Sequence, residues 1–329
     1  ASDSPSMCPV EMKSFQSAIP FRHRRASVLQ PIDGRMRNVR RIMPPDTERC
    51  IKSFSDGAPK VTPPCQQDSN SLLLSFRRKL PSAAGTVLME EIEIMPGIRI
   101  TSHRCLWMPE EATAVVADLH IGYESALEYD GIHIPRIQTA AVQESLAEIV
   151  DLYAPDRLVV AGDIKHEFSR NLGQEMKDVR KVLDYLNDRT EVVLVKGNHD
   201  NYLENIVSRI EMPVVERYVQ RGVTIVHGHS ACADRPLVMG HEHPSIKLVD
   251  RIGAYLKLPC FIHLREEGIV VLPAFSPLAS GTDFTGASPT DCLSPILREA
   301  NVPSADIYAC TDIGLLPLGP LSRLEGLRL

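Results

Sequence analysis

The sequence predicts an α/β protein with two mixed sheets, arranged as a four-layer αββα sandwich. Between about residues 89 and 209, apolar runs of strand length alternate with segments of helical period. This alternation is the pattern of a sheet with helices on its faces. From about residue 213 the chain becomes strand-rich with few helices between the strands, which indicates a second sheet packed on the first. Several strands are followed by Asp, His or Asn, at the edge where open α/β sheets place ligand sites.

The predicted elements follow from these patterns. In the first half, strands are predicted at 98–101, 105–108, 114–117, 158–161 and 192–195, and helices at 122–129, 135–153, 173–186 and 202–209. The longest helix has apolar residues at a helical period, and Pro135 stands in its first turn, where proline is tolerated. In the second half, strands are predicted at 213–219, 223–227, 236–239, 246–249, 258–264, 268–272 and 306–310, with a long loop at 274–302.

Charge divides the chain into a basic segment and an acidic body. The net charge of the 329 residues is −6, but residues 1–88 hold 14 Lys and Arg against 7 Asp and Glu. The remaining residues hold 22 basic and 35 acidic side chains. An acidic body argues against broad binding of phosphate backbones, which needs a basic face.

Cysteines and apolar runs indicate the compartment. The eight cysteines form no Cys-x-x-Cys pair, so no zinc knuckle is indicated. Scattered thiols in a long chain are typical of a reduced, cytoplasmic protein. No apolar run approaches the roughly 18 residues of a membrane span. We therefore expect a cytoplasmic protein with no membrane association.

Residues 1–88 differ in composition from the rest. They contain ten of the 25 prolines, recurrent arginine clusters and no Trp or Tyr. Such a segment buries too little apolar surface to offset the entropy lost on ordering. Three interpretations stay open: a disordered tail, a basic arm that contacts nucleic acid or a partner, or non-native sequence with the true start at Met89. We expect residues 89–329 to form the folded domain.

Five polar stretches follow five of the apolar runs. They are Asp118-Leu119-His120, Gly162-Asp163-Ile164-Lys165-His166, Gly197-Asn198-His199-Asp200, His227-Gly228-His229 and Gly240-His241-Glu242-His243. Each stretch alone is weak, because a lone His near a strand end is usually structural and a Gly-Asp pair usually marks a turn. Their conjunction at five strand ends predicts one shared site.

The residue types in these stretches suit two divalent metals. One metal would take Asp118, His120 and His243, the second would take Asn198, His227 and His241, and Asp163 would bridge the two. Two cations about 3.5–4 Å apart share a hydroxide and clamp a phosphoryl group. The mixed ligands exclude little: Mn²⁺, which we expect, is compatible with them, as are Fe, Zn²⁺ and Co²⁺, whereas Mg²⁺ is less apt beside so many imidazoles.

The order D-x-H, G-D-x-x-H, G-N-H-D, H-G-H and G-H-x-H resembles the calcineurin-like metallophosphoesterases, over about residues 89–329. The residues around the motifs, such as Asp118 to Glu124 and Leu272 to Phe275, are similar to a branch of predicted phosphoesterases related to the SbcD-type nucleases. That branch occurs in archaea and, as DNA-ligase-associated relatives, in bacteria. The nucleases proper carry a DNA-binding capping domain after this core, and we expect none here.

The resemblance implies roles for individual residues. The seven predicted ligands match the family's metal ligands. His199 matches the family's histidine that protonates the leaving oxygen or stabilises the transition state, and Asp200 would orient it. His166 and His229 are candidates for facing the substrate or for packing against a ligand. Lys165 and Arg136 are candidates for contacts to phosphate oxygens, although single charges are more often merely solvated.

Three functions are compatible with the motifs. The first is a phosphodiesterase or nuclease in which a metal-bridging hydroxide attacks a nucleotide or single-stranded nucleic acid. The second is a hydrolase of cyclic nucleotides or phosphomonoesters. The third is a non-catalytic scaffold, against which the retained His199 and all seven ligands argue. The resemblance also implies DNA-repair or RNA-processing proteins as partners, and a homo-oligomer stays open.

Overall fold

The computed structural model describes residues 88–170, 172–208, 210, 212–249, 255–286 and 289–324. Within these ranges the first sheet contains β1 (Glu91–Met95), β2 (Ile98–Thr101), β3 (Leu106–Met108), β4 (Thr113–Val116), β5 (Arg157–Ala161), β6 (Glu191–Val195) and β7 (Val214–Val215), in that order. Strands β1 to β4 are antiparallel to their neighbours, and β4 to β7 are parallel. The connections between the parallel strands contain α1 (Tyr123–Tyr129), α2 (Gln138–Tyr153), α3 (Gly173–Asn187) and α4 (Leu203–Val207).

The second sheet is also mixed. Its strands are β8 (Tyr218–Gln220), β9 (Val223–Val226), β10 (Leu237–Met239), β11 (Pro244–Val249), β12 (Tyr255–Leu264), β13 (Ile269–Val271), β14 (Thr282–Asp283), β15 (Asp306–Thr311) and β16 (Gly314–Pro320). Their order is β14-β11-β12-β13-β10-β9-β8, with β15 also paired to β12 and β16 paired to β15. Strands β9, β10 and β13 are parallel. A short helix, α5 (Pro295–Arg298), packs on its outer face.

Three clusters of buried apolar side chains separate the layers. One cluster lies between the first sheet and its helices, a second between the two sheets, and a third between the second sheet and α5. Along β4, Val115 packs between the sheets and Val116 packs under the helices, because successive side chains in a strand point to opposite faces. The predicted α/β fold with two mixed sheets in a four-layer sandwich is therefore confirmed.

The start of α2 differs from the prediction. The helix begins at Gln138, three residues after Pro135. The backbone N–H groups of Ile137 and Gln138 both donate to Oε1 of Glu124, at 2.6 and 2.7 Å. These N–H groups have no acceptor within the helix itself. A carboxylate from the preceding helix therefore fixes where α2 begins.

The edges of the sheets also differ from the prediction. The predicted strand at 213–219 is divided into β7 and β8, and the predicted loop at 274–302 contains β14 and α5. Strands β1 and β16 were not predicted. Strand β16 contains Pro317 and Gly319, which are tolerated because β15 is its one strand partner among the described residues, apart from an isolated bridge between Met89 and Leu315.

Part of the sequence-based prediction falls outside the described residues. The Arg- and Pro-rich segment lies there up to residue 87, so its disorder stays a prediction. Arg209, the expected end of α4, also lies there. Across the described ranges, no helix is both long and apolar enough to cross a bilayer.

Candidate metal centre

The five polar stretches meet where the two sheets come together. Beyond the ends of β4 and β5, the N–H of His120 donates to the carbonyl of Asp163 at 2.8 Å, so these two loops run side by side. From the second sheet, the N–H of His241 donates to Oδ2 of Asp118 at 2.9 Å. The stretches that follow β4, β5 and β10 are thus hydrogen-bonded into one site.

The first group of ligand atoms comes from Asp118, His120, Asp163 and His243. One atom from each lies within 4.8 Å of the others. Nε2 of His120 is 3.1 Å from Nε2 of His243 and 3.6 Å from Oδ2 of Asp163. Nε2 of His243 is 3.5 Å from Oδ2 of Asp118. Two carboxylates and two imidazoles therefore converge on one point.

The second group contains Asp163, His227 and His241, again within 4.8 Å of one another. Nε2 of His227 is 3.1 Å from Nδ1 of His241 and 3.4 Å from Oδ2 of Asp163. Oδ1 of Asn198 lies 2.9 Å from the same nitrogen of His227. Asp163 belongs to both groups, so the two groups are adjacent.

The donor atoms fit metal ions. A transition metal holds N and O ligands at about 2.0–2.2 Å, so neighbouring ligand atoms on one ion stand about 3 Å apart, similar to the separations in both groups. Oδ1 of Asp118 is fully buried and makes no well-formed hydrogen bond with the described residues. Its nearest basic atom is Nδ1 of His227, at 3.4 Å. A buried carboxylate oxygen without a full partner is expected beside a cation site.

Burial keeps two of the predicted histidine ligands in the neutral form that binds metal. Burial lowers the pKa of His120 to about 2 and that of His241 to about 4. Both imidazoles are therefore neutral near pH 7, the form that binds metal. Burial also opposes protonation of His227, but its interaction with Asp118, together with the charges of Asp163 and Asp200, outweighs burial and raises the pKa to about 9. A metal ion would have to displace the proton from His227.

The backbone that carries the ligands is strained. Asp118, His120, Asp163, His241 and His243 have φ angles of 58°, 44°, 42°, 68° and 47°. A residue with a side chain in such a conformation costs on the order of 1–3 kcal/mol, and such residues concentrate at functional sites. The fold thus holds five of the seven predicted ligands in conformations that local preference disfavours.

His199 lies beside the shared carboxylate. Its backbone N–H donates to Oδ1 of Asp163 at 2.9 Å, and its Nε2 is 4.0 Å from Oδ2 of the same residue. Nδ1 of His199 is 2.5 Å from the carbonyl oxygen of His166. Because a carbonyl only accepts, Nδ1 carries the hydrogen and Nε2 faces the two ligand groups.

Asp200 has a different set of partners from the one predicted. Its carboxylate accepts hydrogen bonds from the backbone N–H groups of Gly197 at 2.8 Å, Ile164 at 2.9 Å and Lys165 at 3.2 Å. A buried carboxylate needs several donors, and these amides supply them. Asp200 therefore ties the loops after β5 and β6 together, and the carbonyl of His166 orients the imidazole of His199 instead.

The four candidates for substrate contact have different environments. The ring of His166 is 4.1 Å from that of Tyr123, and its Nδ1 is 3.4 Å from Nδ1 of His120. His229 is exposed beside the ring of His227. Lys165 is fully buried, and its ammonium donates to the carbonyl of Glu167. Arg136 is exposed and pairs with Glu128. Lys165 thus faces the protein, where it cannot contact a phosphate.

Sequence reasoning missed Gln138, which supports the site from α2. Its buried side chain donates to the carbonyl of His120 at 2.8 Å and to the hydroxyl of Ser276 at 2.9 Å. Its Oε1 accepts the N–H of Tyr123 at 3.1 Å. Gln138 therefore joins the first polar stretch, α1 and the loop after β13. Its only sequence signal was a position near the start of the helix that follows that stretch.

Comparison with known proteins identifies the family. Residues 112–304, which contain all five polar stretches, match the model of the calcineurin-like phosphoesterases. The crystal structure of the Pseudomonas putida nuclease MPE is similar at a TM-score of 0.50 and 25% identity, covering 69% of this chain and 98% of that one. The E. coli phosphoesterase Yfce is similar at a TM-score of 0.31 and 16% identity, covering 61% and 88%, a likeness too low to carry an argument. No curated protein matches the chain significantly by sequence. Because the matched residues make up more than half of the chain, the chain belongs to the calcineurin-like phosphoesterases, which are metal-dependent hydrolases.

Proposed function

We propose that the protein is a phosphodiesterase of nucleic acids or nucleotides that uses two divalent cations. The observation that carries the proposal is the position of Asp163. Its Oδ2 lies 3.6 Å from Nε2 of His120 in one ligand group and 3.4 Å from Nε2 of His227 in the other. A carboxylate shared between two groups supports a pair of ions over a single one.

The two adjacent groups of ligand atoms would each hold one ion. Asp118, His120 and His243 would hold one ion, Asn198, His227 and His241 the other, and Asp163 both. When bound, two such ions supply a hydroxide nucleophile at neutral pH and neutralise charge on the phosphoryl group. Mn²⁺ is the proposed metal, since it accepts carboxylate and amide oxygens; Fe, Zn²⁺ and Co²⁺ are the alternatives that the imidazoles allow.

His199 is the proposed general acid. Since its Nδ1 is held by the carbonyl of His166, Nε2 is the atom that gains and loses a proton. This atom lies 4.0 Å from Oδ2 of Asp163, beside both ligand groups and so within reach of a phosphoryl group held there. Nε2 would donate its proton to the leaving oxygen as the phosphodiester bond breaks.

Two observations support a nucleic-acid substrate. The similar Pseudomonas putida protein is a nuclease, and 98% of its chain is covered. At the rim of this site, Phe168 is 52% exposed and its ring lies 6.0 Å from that of His199. Exposed aromatic rings beside a phosphate site stack unpaired bases. A single strand fits this rim because its bases are free to stack.

A substrate panel tests the proposal. After treatment with EDTA and reloading with Mn²⁺, Fe²⁺, Zn²⁺ or Co²⁺, the protein is given bis-p-nitrophenyl phosphate, p-nitrophenyl phosphate, cyclic nucleotides, and single-stranded DNA and RNA. We expect cleavage of the diester and of single strands, with Mn²⁺ most active. Hydrolysis of the monoester alone, or of no substrate with any of the four metals, contradicts the proposal.

A further inference from the structure

A cavity of about 300 Å³ opens beside the metal centre, with His243 in its wall. Two basic side chains, Arg104 and Lys257, line the same cavity, together with the hydroxyl residues Ser276 and Ser280. We call this space the Arg104 groove. The groove is thus lined by a predicted metal ligand and by two positively charged side chains, although residues 89–329 carry more acidic than basic side chains.

Arg104 stands out among the arginines of the described ranges. Most of them meet a carboxylate, a carbonyl or an aromatic ring, as Arg99 meets Glu91 at 3.2 Å. Within those ranges the guanidinium of Arg104 has no hydrogen bond, ion pair or ring contact. Its backbone has a φ of 56° in the turn after β2. At the wall of the groove, a strained turn therefore carries a guanidinium whose five N–H donors have no partner among the described residues.

Lys257 completes the cationic wall. Its ammonium donates to the carbonyl of Gly281 at 2.7 Å, which fixes its position at the groove. An ammonium has three N–H donors, so two remain for a ligand. An anion in the groove would thus meet one fixed ammonium and one unpaired guanidinium.

The space on the other side of Arg104 is chemically different. A second cavity, of about 380 Å³, is lined by Arg104 together with Glu148 and Asp312. Two carboxylates repel a phosphate at close range. An anion that binds Arg104 is therefore favoured on the side of His243, next to the metal centre.

We infer, on the basis of the proposed function, that the Arg104 groove binds the phosphate of a nucleotide adjacent to the scissile bond. Guanidinium groups bind phosphate oxygens through paired hydrogen bonds. A second phosphate site selects a polynucleotide strand over a mononucleotide or a phosphomonoester, which has no second phosphodiester to place there. It also reconciles an acidic body with a nucleic-acid substrate, because positive charge is needed only along one short groove.

The test compares a long and a short substrate on the full chain loaded with Mn²⁺. Arg104→Ala and Lys257→Ala are assayed with a ten-nucleotide oligothymidylate and with bis-p-nitrophenyl phosphate, which has no second phosphate to place in the groove. We expect kcat/KM for the oligonucleotide to fall about 10-fold in each variant, as expected when a charged hydrogen bond is removed, with no change for the short diester. Arg265→Ala is the matched control, since Arg265 lies in the turn between β12 and β13 and pairs with Asp306 of β15.

Binding gives a second readout that needs no turnover. Fluorescence anisotropy of a labelled oligothymidylate, measured in EDTA at several salt concentrations, gives the binding constant. The slope of its logarithm against the logarithm of the salt concentration should become shallower by about 0.7 for each phosphate that the variant no longer neutralises. Equal decreases in rate on both substrates, or an unchanged oligonucleotide rate and slope, overturn the inference. If the wild-type protein cleaves neither substrate, the proposed function fails, and the anisotropy comparison still decides whether the groove binds phosphate.

Discussion

A methyl group at Gly197 would test the geometry of the shared carboxylate. A Cβ placed on Gly197 would lie 2.1 Å from Oδ1 of Asp163 and 2.2 Å from its backbone nitrogen. Atoms in contact keep about 3.5 Å between them, so Asp163 or the Gly197 turn must move by more than about 1 Å. The same oxygen accepts the N–H of His199 at 2.9 Å, so His199 would be displaced as well.

We expect Gly197→Ala to lower kcat on bis-p-nitrophenyl phosphate by at least about 100-fold, the cost of a displacement of about 1 Å at a reacting site. Metal content should fall for both ions, because Asp163 serves both ligand groups. Gly173→Ala is the control: its Cβ would meet no atom within 4 Å, and alanine is a good helix former at the first position of α3. A Gly197→Ala protein that keeps full metal and full activity refutes the reasoning.

Two further predictions concern the proton donor and the folded region. His199→Ala should keep its metals, while its kcat falls about 10²–10⁴-fold on substrates with poor leaving groups and by a smaller factor when the leaving group is p-nitrophenolate. His241→Ala should instead lose metal and activity together. Metal content measured beside the kinetics checks both variants. Loss of metal from His199→Ala would show that His199 is a ligand and contradict its role as proton donor. A chain that begins at Met89 should keep fold and activity, since Met89 already pairs with Leu315 of β16; insolubility or metal loss on purification would show that residues 1–88 belong to the domain.

The sequence predicted the inner strands of the fold better than its edges. Strands such as β4 are buried on both faces, so their sequences are continuous apolar runs that are easy to recognise. At the edge, β16 contains Pro317 and Gly319, residues that weaken a strand pattern. Its pairing with β15 depends on tertiary contacts that no local pattern contains.

The same limit applies within the site. The predicted ligands could be located because each lies in the short polar stretch that follows an apolar strand. The partner of Nδ1 in His199 is a backbone carbonyl, that of His166, and every residue has a carbonyl, so the sequence could not indicate it. Asp200 was assigned to its neighbour in sequence, whereas its carboxylate reaches Ile164 and Lys165, more than thirty residues away. Adjacency in the chain was a poor guide to hydrogen-bond partners.

The central claim is that Asp163 joins two metal sites in one chain. Metal content by mass spectrometry, measured on protein stripped with EDTA, reloaded with Mn²⁺ and freed of excess metal, tests it most directly. We predict two equivalents of metal per chain. A plateau at one equivalent in active protein would contradict the pair, and a protein that cannot be reloaded at all would contradict the metal centre itself.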